Sequence, residues 1–227
     1  MAKQSKRNSL SPRTAPPTTA ATAILDVAER LAQTRGYNGF SYADIAAQLG
    51  VTKASLHYHF PSKAVLGRAL IERYHGLFGA ALDGIDQHAK EPFEKLRQYV
   101  GLYTSVLSNE RMCLCGMLAA EYATLPAPMQ KGLTLFFDAN ERWLTSVLEN
   151  GLSDGSFLFR EPANQRARVL LGALEGAMLV ARSYGNPLRF RAAAACVLAD
   201  LRAGTDSKQR RASGRASLPH STRKSRV

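Results

Sequence analysis

The stretch that decides the fold runs from residue 36 to residue 63 and reads GYNGFSYADIAAQLGVTKASLHYHFPSK. Ser41 followed three residues later by Asp44 is a variant of the capping box, so a short helix is predicted to begin there and to end at Gly50. Thr52 is typical of the cap of a second short helix. A glycine between two short helices permits the positive φ of a sharp turn, so the stretch predicts a helix-turn-helix unit.

The rest of the chain also carries helical patterns. Upstream, apolar residues repeat at i, i+3, i+4, i+7 and i+8 from Ile24 to Ala32, which predicts an amphipathic helix that starts at Thr18 or Thr19 and ends at Gly36. Proline and glycine separate the later helices, and no alternating strand pattern or repeat of about 20–50 residues occurs. The predicted fold class is therefore all-α, with a small N-terminal helical unit and a larger helical body. The later helices are predicted over 63–86, 91–108, 112–124, 127–152, 163–184 and 188–202.

Most of the net charge lies at the two ends of the chain. The 227 residues carry a formal charge of +12, of which residues 1–17 hold +4 and residues 203–227 hold +6, which leaves +2 between them. Both end segments are rich in Ser, Ala and Arg, and such segments bury too little apolar surface to fold, so they are predicted to be disordered basic tails. Between them, the sequence predicts a helix-turn-helix domain over 18–63 and a helical domain over 64–202.

Several classes of protein are excluded by what the sequence lacks. No uncharged apolar run approaches the roughly 18 residues of a membrane-spanning helix, and residues 1–17 have no apolar signal region, so no membrane partner is expected. Three cysteines without disulfide spacing favour a cytoplasmic setting. No nucleophile elbow, phosphate-binding loop or dinucleotide motif occurs, and the five histidines form no ligand set. We therefore expect no enzyme activity, no cofactor and no metal.

The second short helix carries groups suited to DNA. Lys53, Ser55, His57 and Tyr58 supply donors that fit phosphates and base edges in a major groove. A helix this short reads only a few base pairs, so a homodimer on a double-stranded DNA operator is expected. A turn between two helices is common in other proteins, and from spacing alone the DNA interpretation and a purely structural one remain open.

The stretch from about residue 20 to about residue 70 closely resembles the DNA-binding domain of the TetR family of transcriptional regulators, with the family's spacing and no gaps. The resemblance implies that the second short helix reads bases, that its N-terminal neighbour meets the DNA backbone, and that a lysine in the next helix contacts phosphate. His57 stands where the family more often has Tyr, with Tyr58 beside it, so either ring is a candidate for the phosphate contact. The implied DNA-binding residues are Ser41, Tyr42, Thr52, Lys53, Ser55, His57, Tyr58 and Lys63.

Residues 71–202 resemble the family's effector-binding and dimerisation domain in length and helix content, without a strong motif. Cys113 matches a cysteine with which some TetR-like regulators sense electrophiles or oxidants; a small buried residue is the alternative, and Cys196 is expected to pack in the core. The helices over 163–184 and 188–202 are candidates for a four-helix dimer interface. The candidate effector-pocket residues, which core packing would equally explain, are Tyr103, Met112, Cys113, Met117, Glu121, Phe137 and Trp143.

The expected function is a ligand-responsive, DNA-binding transcriptional regulator. A repressor that a small-molecule effector releases from a palindromic operator fits the resemblance best. Three alternatives follow from particular features. With a reactive Cys113, the protein would be a thiol-based sensor. With basic tails that do most of the binding, it would be a sequence-tolerant architectural DNA-binding protein. The third alternative is a helical enzyme or binding protein whose activity lies in the body and which does not bind DNA.

Overall fold

The computed structural model describes residues 19–202. The basic tails predicted at 1–17 and 203–227 lie outside the described residues, as does Thr18. Within the described range all regular structure is helical, which confirms the all-α prediction. The α-helices are α1 (Thr19–Arg35), α2 (Tyr42–Leu49), α3 (Lys53–His59), α4 (Lys63–His88), α5 (Pro92–Ser108), α6 (Leu114–Ala120), α7 (Ala127–Ser153), α8 (Ala163–Ser183) and α9 (Pro187–Ala199), and Tyr122–Thr124 forms one 3₁₀ turn.

The N-terminal unit, α1–α3, has the local geometry that its sequence predicts. The Asp44 carboxylate accepts hydrogen bonds from the Ser41 backbone N–H at 2.7 Å and from the Ser41 hydroxyl at 2.6 Å. Gly50 adopts φ 65°, a left-handed conformation that costs glycine little. Thr52 Oγ1 accepts the Ser55 N–H at 3.2 Å and caps α3. The predicted helix-turn-helix is therefore present, and Leu56 on the inner side of α3 is fully buried.

The long helix α4 links the N-terminal unit to the helical body, α4–α9. It packs against α1 of the N-terminal unit and against α7 of the body. At Gly67 the approach is so close that an added Cβ would lie 2.5 Å from Met129 Sδ and 2.9 Å from the Tyr37 ring. Because one continuous helix contacts both units, a displacement in the body has a direct mechanical route to the N-terminal unit.

Aromatic rings fill the middle of the helical body. The Phe78 ring centroid lies 5.3 Å from that of Phe136, 6.0 Å from that of Tyr99 and 6.2 Å from that of Tyr103, which joins α4, α5 and α7. Edge-to-face pairs of this kind stabilise a core beyond the apolar area they bury. No helix in the described range is long and apolar enough to cross a membrane.

Two sequence predictions about the body are wrong in detail. The helix predicted over 112–124 is shorter, because Cys113 is the N-cap of α6 and its sulfur accepts the Gly116 N–H at 3.4 Å. It is interrupted at Glu121, whose carboxylate binds the backbone of the N-terminal unit. Cys196, which was expected to pack in the core, is exposed on the surface of α9.

Candidate nucleic-acid interface and effector cavity

The exposed side of α3 carries four of the eight predicted DNA contacts. Leu56 anchors the helix in the core, whereas Lys53, Ser55 and Tyr58 are exposed, Tyr58 to 85%. A side chain this exposed contributes little to its own fold, so the Tyr58 ring is available for an intermolecular contact. The first turn of α3 contains no acidic residue, which leaves the charge of Lys53 available to a phosphate.

A shallow depression of about 360 Å³ separates the start of α2 from α3. It brings together five of the eight predicted DNA-binding residues, whereas Thr52, Ser55 and Tyr58 are exposed outside it on the α3 segment. Two lysines border it, so it has the size and the charge to receive a backbone phosphate. Its lining consists of Phe40, Ser41, Tyr42, Ala43, Lys53, His57 and Lys63.

Tyr42 has a bracing role within the unit. It is buried, and its hydroxyl donates to the Phe60 carbonyl oxygen at 2.7 Å, tying the start of α2 to the end of α3. Burial raises the pKa of its phenol to about 12, with a smaller contribution from Tyr37. The hydroxyl is therefore committed to the fold, and the predicted DNA contact at Tyr42 is left to its backbone N–H at the start of α2.

Lys63 is also committed in part to the fold. Its ammonium donates to the Tyr37 carbonyl oxygen at 2.5 Å and to the Phe40 carbonyl oxygen. It also lies 4.5 Å and 4.4 Å from the ring centroids of the same two residues. Burial lowers the pKa of Lys63, and Glu121 and Asp44 oppose that change. With two of three donors used, one N–H remains for the predicted phosphate contact.

The structure distinguishes the two rings that the sequence left as alternatives. The His57 ring packs 4.6 Å from the Tyr42 ring, and its Nδ1 lies 3.2 Å from the Pro61 carbonyl oxygen. The Tyr58 ring meets the His59 ring edge-on at 5.1 Å, is 85% exposed, and has no hydrogen bond from its hydroxyl to any of residues 19–202. Tyr58 is thus the ring that is free to reach a phosphate.

Glu121 joins the helical body to the N-terminal unit. Its carboxylate accepts the backbone N–H of Tyr37 at 2.5 Å and that of Asn38 at 3.2 Å. Gly36 adopts φ 82° beside it, where an added Cβ would lie 2.7 Å from Glu121 Oε1. The Asn38 amide adds a hydrogen bond to Thr124 Oγ1 at 2.8 Å. Both Glu121 oxygens already accept backbone donors, so the prediction that Glu121 holds an effector's polar end gains no support from this geometry.

The C-terminal end of α1 is held by the body as well. The last carbonyls of a helix lack partners within it, and here the Arg182 guanidinium donates to Gln33 O at 3.3 Å and to Thr34 O. The Met112 N–H donates to the same Gln33 carbonyl at 3.2 Å, and Arg111 reaches the Gln33 side chain at 3.4 Å. The segment around α6, together with Arg182 of α8, thus holds the end of α1 and the first residues of the loop that leads to α2.

Most residues of the predicted effector pocket belong to the core. The Tyr103 hydroxyl lies 3.1 Å from that of Tyr99, and Trp143 stacks on Tyr99 at 5.4 Å while its Nε1–H donates to Asp86 at 2.9 Å. Met112 is 1% exposed. Met117 is half-buried with its sulfur 3.3 Å from an Arg182 nitrogen.

A cavity of about 400 Å³ lies elsewhere, between α6, α7 and α8. Phe137 is the single residue of the seven predicted that lines it. Sequence reasoning missed Glu175, which is the one charged residue in the α8 segment from Leu170 to Val180, and this isolated charge was the available signal. The lining consists of Gly116, Ala119, Ala120, Phe137, Glu141, Arg168, Leu171, Gly172, Glu175 and Leu179.

Glu175 is half-buried, and its carboxylate is partly enclosed. Its Oε1 is sealed from solvent and has no hydrogen-bond partner within residues 19–202. Burial raises the pKa of Glu175 to about 7, although hydrogen bonding from Cys113 and Tyr103 opposes the rise. The carboxylate lies against the backbone of α6, because a Cβ added at Gly116 would overlap its other oxygen. A buried, partly satisfied acid is costly to a fold and is often functional.

The cysteines of α6 lie in the wrong environment for a reactive thiolate. Cys113 and Cys115 are buried to 1% and 0% exposure. Burial raises the pKa of each thiol well above its ordinary value, and the Glu175 carboxylate adds to the rise. A sensing thiol needs a lowered pKa and access to solvent, so the structure gives the thiol-sensor alternative no support. The described part of the chain also holds no group of His, Cys, Asp or Glu side chains that could bind a metal ion.

Comparison with known proteins agrees with this geometry. The family model described as bacterial regulatory proteins, tetR family, matches residues 24–70, from α1 into the first turns of α4. The crystal structure of a TetR-family transcriptional regulator from Agrobacterium tumefaciens superimposes with a TM-score of 0.78 at 34% identity, over 81% of this chain and 97% of that one. The likeness therefore extends through the helical body as well as the N-terminal unit.

Two curated relatives carry functional names. The nucleoid occlusion factor SlmA of Yersinia enterocolitica is 35% identical over 166 residues, which cover 73% of this chain and 82% of that protein. The HTH-type transcriptional repressor DhaR of a Mycobacterium species is 23% identical over 146 residues, which cover 64% of this chain and 73% of that protein.

Proposed function

This chain belongs to the TetR family of transcriptional regulators, and we propose that it is a cytoplasmic, homodimeric repressor that a small molecule releases from a two-fold symmetric operator. The observation that carries the DNA-binding part is the exposure of Lys53, Ser55 and Tyr58 on α3 beside the depression at the start of α2. The groups on this surface are donors, as phosphates and base edges require. No enzymatic step is part of the proposal.

A two-fold symmetric dimer is supported by an unpartnered apolar stripe on α9. Leu188 is 64% exposed, and small side chains continue from it at helical spacing along the same side. On the neighbouring α8, Val169 and Val180 are exposed to 58% and 52%, and the C-cap residue Tyr184 to 64%. Apolar surface of this extent on adjacent helices is typical of an interface between subunits. The α9 stripe consists of Leu188, Ala192, Ala195, Cys196 and Ala199.

The helix α6 supplies a route from an effector to the DNA-binding unit. Its residues Gly116 and Ala119 line the cavity beside α7 and α8, and the next residue after the helix, Glu121, holds the loop that begins α2. A ligand that favours a different position of α6 would move this loop and α3 with it. Release of DNA then follows from a difference in ligand affinity between two conformations, without contact between ligand and DNA.

The DNA-binding proposal is tested by gel shift with the DNA upstream of the protein's own coding sequence, in competition with random DNA. Lys53→Ala should lose the specific shift, because it removes a charge from the exposed side of α3. Lys131→Ala is the matched control, since Lys131 is an exposed lysine on α7. Equal shifts for both variants, or equal competition by random DNA, would overturn the assignment.

The dimer is tested by sedimentation velocity on the same preparations. Ala195→Arg places a charge in the α9 stripe and should yield monomers that bind the operator weakly, because one α3 reads only a few base pairs. Ser146→Arg, an exposed position on α7, should leave the dimer intact. A dimeric Ala195→Arg variant would show that another surface joins the subunits.

A second candidate is favoured by the similarity to the nucleoid occlusion factor. The charges of +4 and +6 in residues 1–17 and 203–227 would give sequence-independent attraction to DNA. On this candidate, DNA affinity depends steeply on salt and collapses when both segments are removed, whatever the DNA sequence. On the repressor proposal the truncated protein, residues 18–202, keeps its preference for the operator and loses only overall affinity.

A further inference from the structure

We propose that the cavity between α6, α7 and α8 binds an organic cation, an amine with an apolar body, and that the Glu175 carboxylate is its anchoring group. The inference rests on the proposed function, because it names the chemical class of the effector. It starts from Glu175, the acid among the described lining residues of this cavity that forms no ion pair; the other acid, Glu141, is paired with Arg168 at 3.1 Å.

The surroundings of Glu175 do not neutralise it. The groups that face it are hydroxyls and thiols, which remain neutral because burial raises the pKa of each. The cation of this cavity, Arg168, is paired with Glu141 at 3.1 Å. A ligand ammonium beside the part of Glu175 that lines the cavity would therefore supply the positive charge that these groups lack. The facing groups are Tyr74 of α4, Tyr99 and Tyr103 of α5, Cys113 at the N-cap of α6, and Cys115 within α6.

The remaining wall of the cavity suits an apolar body. Phe137, Leu171 and Leu179 contribute hydrophobic surface, and two glycines, Gly116 and Gly172, leave space beside them. A volume of about 400 Å³ lies in the range of small-molecule sites. A second cavity of about 380 Å³, at the turn between α8 and α9, is a weaker candidate, because its Arg182 already donates to α1.

The carboxylate also sets the pH dependence of binding. Burial holds the pKa of Glu175 near 7, so about half of the molecules carry a proton there at neutral pH. An ammonium ligand favours the ionised form and displaces that proton. Affinity for an amine should therefore rise between pH 6 and pH 8, whereas affinity for a neutral analogue should not.

The test uses isothermal titration of the full-length dimer with three probes of one shape: 2-phenylethylamine, 2-phenylethanol and 3-phenylpropionate. At pH 8 the amine should bind at least about tenfold more tightly than the other two, as expected for one charge-assisted contact. Glu175→Gln keeps the size of the side chain and should lose that preference. Glu141→Gln, which removes the other acid of the cavity, should retain it.

Two further measurements keep the outcomes separate. Titration of the amine at pH 7 in buffers of different ionisation enthalpy should show proton release from the native protein and none from Glu175→Gln. Equal affinity for the three probes, no amine binding up to about 10 mM, or an unchanged Glu175→Gln variant would each overturn the inference. Operator binding by the unliganded protein, measured in parallel, tests the proposed function: if it persists while the amine fails, only the ligand class is wrong.

Discussion

Replacing Glu175 with glutamine should make the protein more resistant to mildly alkaline pH. The folded protein holds the pKa of this carboxyl near 7, whereas its ordinary value is 4.5, and burial is the main cause. A raised carboxyl pKa means that the folded state binds the proton more tightly than the unfolded state. The stability that this proton contributes is fully present below pH 4.5 and is lost as the pH rises through 7. Glutamine has no proton to lose.

The size of the effect follows from the two pKa values. The difference between them corresponds to about 3 kcal/mol in the free energy of unfolding when the carboxyl is ionised in both states. At pH 5 the native protein retains most of this contribution, and at pH 8 it retains little. The free energy of unfolding of Glu175→Gln minus that of the native protein should therefore grow by about 2–3 kcal/mol from pH 5 to pH 8.

The assay is urea unfolding followed by circular dichroism at pH 5, 6, 7 and 8, at one fixed protomer concentration because the proposed dimer makes stability concentration-dependent. All other titratable groups are common to both proteins, so their contributions cancel in the difference. Glu141→Gln is the control: it removes an acid whose ion pair with Arg168 is solvent-exposed, so its difference from the native protein should stay within about 1 kcal/mol. A Glu175→Gln difference that is flat with pH would refute the reasoning.

Three other predictions concern separate parts of the molecule. Tyr58→Phe should weaken operator binding roughly 30-fold in fluorescence anisotropy, since a dimer loses two hydrogen bonds of about 1 kcal/mol each, and should leave the unfolding curve unchanged because the ring is exposed; unchanged affinity would remove Tyr58 from the interface. Gly151→Ala should cost about 1–3 kcal/mol in denaturant unfolding, because the added Cβ would overlap the buried Phe157 ring, whereas Gly79→Ala, which meets nothing within 4 Å, should be neutral or stabilising. Cys113 should resist N-ethylmaleimide in the native protein, as judged by peptide mass mapping, and react after unfolding; rapid native labelling would restore the thiol-sensor alternative.

The positions of the helices were predictable because their signals are local. A cap such as Ser41 or Thr52, or a left-handed Gly50, acts on backbone groups within about four residues, so the sequence neighbourhood contains all the partners. The one misjudged helix, α6, fails for the opposite reason. It ends where Glu121 accepts N–H groups that lie 84 and 83 positions away in the chain.

The candidate DNA surface was predictable in composition but only partly in role. Tyr42 and Lys63 belong to the predicted set and lie in the depression beside α3. Their polar atoms, however, are bound to carbonyl oxygens at Phe60, Tyr37 and Phe40, which no spacing rule anticipates. A basic or hydroxylated residue in a motif can serve either the partner or the fold, and burial decides between them.

The sequence by itself determined the all-α class, the helix-turn-helix and the exposed side of α3, because caps, glycines and apolar periodicity are encoded within single turns. Tertiary structure alone decided which charged groups are free. Helix packing places Glu175 beside α6 with one carboxylate oxygen unpaired. It also brings the Glu121 carboxylate to the backbone of the N-terminal unit, where it accepts a hydrogen bond. The physical reason is that desolvation depends on which helices meet around a side chain, and that arrangement is a property of the packed core as a whole.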